Sequence, residues 1–321
     1  MYKILILRFS SIGDIVLTTP VIRAVKQQVK NTELHYCTKP SFKSILETNP
    51  YIDRVHCLEG SLGTLIDTLK KEKFDYIIDL HNNLRTSIIR FRLGIPSQSF
   101  DKLNFKKWLL VNFKINKLPA IHIVDRYLEA ASALGVKNDG IGLDYFIPEK
   151  DSVNLSILPE AFQQGYLAFA IGAQHFTKRL PTSKIIELCE KIQLPILLMG
   201  GKDDAETGET IVTHFSSSRK SIFNTCGKFN LNQSASFIKQ SKLVVSHDTG
   251  LMHIAAAFSK EIYSIWGNTM PEFGMYPYKT IYHLIENKEL NCRPCSKIGY
   301  QKCPKGHFKC MNDQNFDSII I

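Results

Sequence analysis

The sequence predicts an α/β protein made of two Rossmann-like, doubly wound lobes facing each other across a cleft, and three observations predict it. The chain has 321 residues, too many for one ordinary core and suited to two domains of roughly 150 each. Strand-like and helix-like apolar patterns alternate along the chain in two successive series, the signature of parallel sheets covered by helices on both faces. Between the series, residues 135–160 collect glycine, proline, aspartate and asparagine, which reads as a linker. Residues 1–150 therefore form the expected N-terminal domain, and residues 151–321 the C-terminal domain with a cysteine-rich tail.

The first series opens with an apolar strand at Lys3 to Phe9, a small polar turn at Ser10 to Asp14, and a helix from Ile15 to Val29. A strand at Glu33 to Thr38, a helix around Leu62 to Lys71, a strand at Tyr76 to Leu80 and a helix at Asp125 to Leu134 follow. The second series repeats the scheme: strands at Tyr166 to Ile171, Ile196 to Met199, Leu243 to Val245 and Ile262 to Trp266, with helices from Ser183, Ala205, Asn232 and Gly250. In such sheets ligands sit beyond the carboxyl ends of the strands, so the loops there are the places to look for chemistry.

Composition removes several classes. With 44% hydrophobic and 22% charged residues the chain is neither disordered nor fibrous. No apolar run approaches the roughly 18 to 20 residues a bilayer span needs, and Arg8 interrupts the opening stretch, so neither a span nor a secretory signal is expected. Without an export signal the reducing cytoplasm is the expected compartment, and structural disulfides are not. No Gly-x-Gly-x-x-Gly opens a helix, and neither Gly201-Lys202 nor Gly227-Lys228 completes a phosphate loop, which disfavours a nicotinamide enzyme and a P-loop NTPase. The absence of an Asp-x-Asp triplet points to a metal-independent mechanism.

Charge is unevenly spread. Of 40 basic and 30 acidic residues, net +10, the segment from Asn82 to Lys117 holds eight basic residues and a single acid, Asp101. Such a stretch attracts phosphate on a nucleic acid, an anionic lipid surface or a phosphorylated glycan, and equally suits a plain solvated face.

Four motifs stand at strand exits. In Arg8-Phe9-Ser10-Ser11-Ile12-Gly13-Asp14, Asp14 opens a helix, where a carboxylate caps backbone N–H groups or, at the mouth of a cleft, accepts a proton from a sugar hydroxyl. His175 to Pro181 carries the adjacent cations Lys178 and Arg179, suited to the charge on a departing diphosphate. Gly200-Gly201-Lys202-Asp203-Asp204 offers close backbone approach and an acid for ribose hydroxyls, with either aspartate also suited to capping the helix. Ser246 to His253 places Asp248, Thr249 and Gly250 at a helix start, an anion site, with His253 either serving the ligand or facing the core.

Together, Ser11-Ile12-Gly13-Asp14, Lys178 before Pro181, Gly200-Gly201 and Asp248-Thr249-Gly250-x-x-His253 resemble glycosyltransferase family 9, the lipopolysaccharide heptosyltransferases, in order and spacing over almost the whole chain. The resemblance implies a GT-B fold and an inverting, metal-independent transfer of a sugar, heptose from ADP-heptose, to a lipopolysaccharide core acceptor. It makes Asp14 the general base and Lys178 the diphosphate-binding lysine. Ser11, Gly13, Arg179, Gly201, Asp203, Asp248, Thr249, Gly250 and His253 become donor- or phosphate-binding positions. It also implies an anionic glycolipid facing the basic stretch, with Lys106 and Lys107 beside Trp108-Leu109-Leu110 at the inner membrane's cytoplasmic face. No nucleic-acid partner is expected, because the basic run is read as lacking an interleaved aromatic stacking platform. Family members usually carry a further helix after the Asp248 region, whereas this sequence stops soon after Cys310, so domain closure is expected to differ.

Cys292, Cys295, Cys303 and Cys310, with His307 before the last, have a spacing that would close a structural zinc site, though packing or reversible thiols are preferred. Two other functions remain in view: a nucleotide-sugar 2-epimerase, which would release free epimerised sugar, and a non-catalytic glycan-binding module, which would show no activity dependent on Asp14.

Overall fold

In the computed structural model, which describes residues 1–319, the chain divides into two units. The first comprises Met1–Lys102 and Ile121–Phe146, and the second Leu103–Ala120 together with the chain from Ile147 onward. This differs from a boundary at residue 150 in two places. Asp139 and Asp144, read as linker, stay with the first unit because the buried guanidinium of Arg23 needs them: it bonds both Asp139 oxygens at 2.7 and 3.0 Å, Asp144, and the Gly142 carbonyl at 2.8 Å. Residues 103–120 belong with the second unit, where the Lys114 ammonium donates to the Pro294 carbonyl at 2.7 Å and Lys107 lies over the Phe273 ring.

The first unit holds a five-stranded sheet of β1 (Tyr2–Leu7), β2 (Thr32–Thr38), β3 (Arg54–Cys57), β4 (Tyr76–Asp79) and β5 (Ser97–Ser99), in the order β3-β2-β1-β4-β5 with every pairing parallel. Ile4 to Leu7 are fully buried on both faces, which is why β1 reads as an unbroken apolar run rather than an alternating one. The expected helix from Ile15 to Val29 is two helices, Ile12–Val16 and Thr19–Gln28, because Pro20 has no N–H to continue the first and is suited to starting the second. The helix expected at 125–134 ends at Glu129, followed by a single tight turn at Ser132–Leu134.

The second unit holds six strands, β6 (Leu167–Ala170), β7 (Ile196–Met199), β8 (Ile222–Asn224), β9 (Leu243–His247), β10 (Ile262–Trp266) and β11 (Tyr282–Glu286), ordered β11-β10-β9-β6-β7-β8 and again all parallel. Each sheet is therefore doubly wound. The chain moves outward one way from β1 and returns beside it with β4; likewise it leaves from β6 and returns with β9. The crevices at the carboxyl ends of β1/β4 and β6/β9 are the topological switch points at which such sheets bind ligands. Among the described residues no helix is long and apolar enough to cross a membrane.

One buried polar network of the first unit has a measurable consequence. His35 Nδ1 lies 2.9 Å from His56 Nε2, His35 Nε2 lies 2.8 Å from Glu33, and both rings meet Phe74 edge-on. Burial first, then the neighbouring His35, push His56 down to about 4, with Glu72 opposing and Arg54 assisting. The native state thus refuses a proton that the unfolded chain accepts below its ordinary value near 6.5. Stability from this group is complete above that value and is lost as pH falls toward 4. Between about pH 7 and pH 5 the loss is roughly 2 kcal/mol, seen as a lower urea midpoint, and His56→Gln shallows the slope of stability against pH.

Candidate active site

In the first unit the site is organised by Arg8, the residue immediately after β1. Its guanidinium is buried, donates to the carbonyls of Ser10 at 2.7 Å and Leu80 at 2.5 Å, and pairs with Asp14 at 2.6 Å. Leu80 follows β4, so one cation ties together the ends of the two strands that flank the switch point. The second Asp14 oxygen accepts from the Ser11 hydroxyl at 2.8 Å and the Ser11 N–H at 3.1 Å, a reciprocal cap of the short helix. The capping and catalytic readings of Asp14 are thus compatible, since the cap fixes a carboxylate whose side chain is still partly open to solvent. Burial works against ionisation here, but the Arg8 charge and the Ser11 hydrogen bonds outweigh it and hold Asp14 below the ordinary carboxylate range. Gly13 is buried within the first turn of the same helix.

Two further groups complete this crevice. Tyr127 is buried beneath the Arg8 guanidinium, 5.6 Å from its ring centre, and is held protonated by that burial. His81, just after β4, meets Phe9 edge-on, and burial together with Arg8 pushes it down to about 4, so it is a neutral imidazole. Neither was evident from the sequence, though a charged residue closing an otherwise apolar strand was a signal for Arg8.

In the second unit the loops after β6, β9 and β10 converge. Lys178 donates to Asp248 at 2.6 Å, and the same carboxylate oxygen accepts from Thr269 at 2.9 Å. Both oxygen contacts orient Asp248 toward the lysine, so its carboxylate anchors the cation. Thr249 is the residue before the helix Gly250–Ala257, yet its side chain does not cap that helix, and its hydroxyl is 3.3 Å from Ser246 instead. The positive end of the helix macrodipole and a lysine thus lie at one switch point, a combination suited to an anion. His253 is buried, and its place is in the packing beneath this turn. His247, also buried, accepts from the Leu180 N–H at 3.1 Å and fixes the loop that carries Lys178.

The Gly200-Gly201 motif differs from its sequence reading. Asp203 is exposed, whereas Asp204 is buried, pairs with Arg179 at 3.2 Å and accepts from the Gly201 N–H at 2.8 Å. The room left by the glycines is filled by Asp204: a methyl on Gly172 would stand 2.0 Å from its carboxylate and one on Gly200 2.7 Å from it. Arg179 also donates to the Ala173 carbonyl at 2.5 Å, so it braces the strand exits.

The C-terminal cysteines are free thiols; Cys292 Sγ lies 3.8 Å from His307 Nε2. Among the described residues, three potential metal-ligating side chains come within 4.8 Å of one another at His35, His56 and Glu72, and Cys292, Cys295, Cys303 and Cys310 do not gather so tightly. The four thiols nevertheless lie in one region, since Cys292 and Cys303 raise Cys295, and Cys295, Cys303 and Cys292 raise Cys310, in each case after burial as the larger cause.

Two doubly wound parallel sheets, each with a charged constellation at its switch point, are two Rossmann-like units of the kind that GT-B glycosyltransferases combine. The model of glycosyltransferase family 9 (heptosyltransferase) matches residues 62–304, and the chain belongs to that family. It is 27% identical over 321 residues to lipooligosaccharide heptosyltransferase 2 of Haemophilus influenzae, covering 92% of this chain and 93% of the relative. In fold it is similar to E. coli ADP-heptose lps heptosyltransferase II, with a TM-score of 0.70, 20% identity and coverage of 97% and 98% of the two chains. E. coli heptosyltransferase WaaC with ADP gives a TM-score of 0.66 at 21% identity, covering 88% and 93%.

The Asp204 cradle gives a paired test. Gly172→Ala should lower unfolding free energy by about 1–3 kcal/mol, the usual range for overpacking. Gly201→Ala, whose added methyl meets nothing nearer than 3.7 Å, should leave the urea midpoint essentially unchanged.

Proposed function

We propose that this enzyme transfers heptose from ADP-heptose to a hydroxyl of the lipopolysaccharide core in one inverting displacement. The substrate pair comes from the family and from relatives whose names carry heptosyl transfer and ADP. The observation that carries the chemistry is Asp14, an ionised carboxylate fixed at the β1/β4 switch point by Arg8 and Ser11. In this reading the acceptor oxygen forms a bond to the anomeric carbon, the bond from that carbon to the diphosphate oxygen breaks, and the acceptor proton passes to Asp14. ADP leaves with its new negative charge met by Lys178 and by the N–H groups at the start of Gly250–Ala257, so the balancing cation is a side chain. Asp248 and Thr269 keep Lys178 in place between turnovers. Ser11 steadies the base, and Arg179, Gly201 and Asp204 shape the donor side of the site. No nucleic acid takes part, and the acceptor, being a glycolipid, confines the work to the cytoplasmic face of the inner membrane.

Asp14→Asn should reduce transfer by about 10²–10⁴-fold, the usual contribution of a general base, while an ADP-sugar still raises the melting temperature as it does for the native chain. Lys178→Ala should instead weaken that thermal shift. Should both variants transfer normally, the assignment fails; release of free epimerised sugar would replace transfer with epimerisation. Because Asp14 lies below the usual carboxylate range and must be deprotonated to act, kcat/KM should show no acid limb from this group down to about pH 5. A limb between pH 6 and 7 would place the base elsewhere.

A further inference from the structure

The second unit carries a surface that the transfer chemistry does not use. It is built from the helix Asn104–Phe113 and the loop between β11 and the helix Lys309–Asn312. The loop is stitched along the helix: Lys114, just after the helix, donates to the carbonyls of Pro294 at 2.7 Å and Cys292 at 3.3 Å, and Lys297 reaches Asn104 at 3.5 Å. Leu110 faces inward and is buried, while Phe105, Trp108 and Phe113 face outward, 70%, 50% and 59% exposed. The outward rings pack on one another: Phe105 stacks on Trp108 with centroids 6.1 Å apart, and Phe113 meets Trp108 edge-on at 5.2 Å. Ile115 follows them, and Ile298 and Tyr300 are exposed on the loop.

Residues 103–120 contain four lysines and residues 290–312 contain five basic residues, and neither segment contains a single aspartate or glutamate. An aromatic cap with basic residues on both contributing segments is the composition of an element that lies in the headgroup region of a bilayer, with rings at the acyl boundary and lysines on anionic headgroups. The sequence reading had placed Lys107 and Leu110 at such an interface. Instead Lys107 turns onto Phe273 and Leu110 inward, and Lys114 is tied to loop carbonyls, leaving Lys106 and Lys117 as the exposed lysines of this segment with no such tie.

We propose that this face docks the enzyme on an anionic lipid bilayer, with Phe105, Trp108 and Phe113 inserted at the interface and the lysines of the helix and loop on phosphate headgroups. A nucleic acid suits it less: the exposed aliphatic side chains Ile115 and Ile298 offer no stacking face, and Phe105 and Phe113 already contact Trp108. The proposal rests on the heptosyltransferase reading only in supposing that the acceptor is held in such a bilayer.

The chain reports on its own docking. It has two tryptophans, and Trp266 is 1% exposed, so a change in emission on adding lipid belongs to Trp108. The full chain should co-sediment with vesicles of phosphatidylglycerol and phosphatidylcholine, with a blue shift in emission, and much less with pure phosphatidylcholine; 0.5 M salt should weaken it. Phe105→Ser with Phe113→Ser, and separately Lys106→Glu with Lys117→Glu, should each weaken vesicle binding at least tenfold while leaving the ADP-sugar thermal shift unchanged.

No sedimentation with anionic vesicles overturns the proposal. So does binding without a Trp108 shift, or binding that both double variants retain, since the lipid would then sit elsewhere. Displacement of vesicles by an equal concentration of a single-stranded RNA would assign the face to nucleic acid instead. Asp14→Asn separates this proposal from the catalytic one: it should bind vesicles like the native chain, so loss of transfer without loss of docking, or the reverse, shows which reading has failed.

Discussion

A guanidinium cannot shed its proton inside a protein, so burying Arg8 at the end of β1 obliges the chain to surround it with acceptors. The acceptors it finds are the Ser10 and Leu80 carbonyls and the Asp14 carboxylate. That one requirement sets the geometry of the first unit's site. It brings the loop after β4 against the loop after β1, orients the first helical turn and leaves Asp14 charged at the switch point. Tyr127 under the guanidinium closes the underside of the same cation. Removing the arginine would leave a half-buried carboxylate unpaired, which is why its role is positional even though it need never touch substrate.

The second unit solves the same problem with the charges exchanged. Lys178, in the loop after β6, is paired with Asp248, delivered from the end of β9. In the proposed reading a diphosphate there would compete with that carboxylate, which meanwhile fixes the lysine's position. Arg179 and Asp204 form a parallel pair one strand over, and two glycines exist chiefly to make room for it. In both units the candidate site lies at the carboxyl edge, where parallel strands buried on both faces hand over to polar loops.

The two sheets were legible because β1, β6, β9 and β10 are dense apolar runs followed by polar turns, a pattern that burial on both faces imposes. Strands of three residues such as β5 (Ser97–Ser99) and β8 were not, since Ser-Gln-Ser has no apolar alternation and is held by its parallel neighbour rather than by its own composition. The motif positions of Asp14, Lys178 and Asp248 were readable as sequence; their partners were not. Arg8, Asp204 and Thr269 depend on which strand lies beside which, information carried by topology. The same holds for residues 103–120, whose unit is decided by contacts with carbonyls near residue 294, far along the chain.

A carboxylate held below its normal range is a weak base, which at first sits uneasily with catalysis. The resolution lies in when the proton moves. A sugar hydroxyl is far too weak an acid to lose its proton to such a group in the ground state, but its oxygen becomes strongly acidic as it bonds to an electron-poor anomeric carbon. In the proposed mechanism, transfer to Asp14 becomes favourable late in bond formation, so a carboxylate fixed in place can take the proton although it is a weak base. Arg8 thus lowers the basicity of Asp14 while offsetting the burial that works against its ionisation and fixing its orientation. In the proposed mechanism the departing diphosphate supplies the driving force, and the anion site around Lys178 and the helix Gly250–Ala257 would stabilise its new charge.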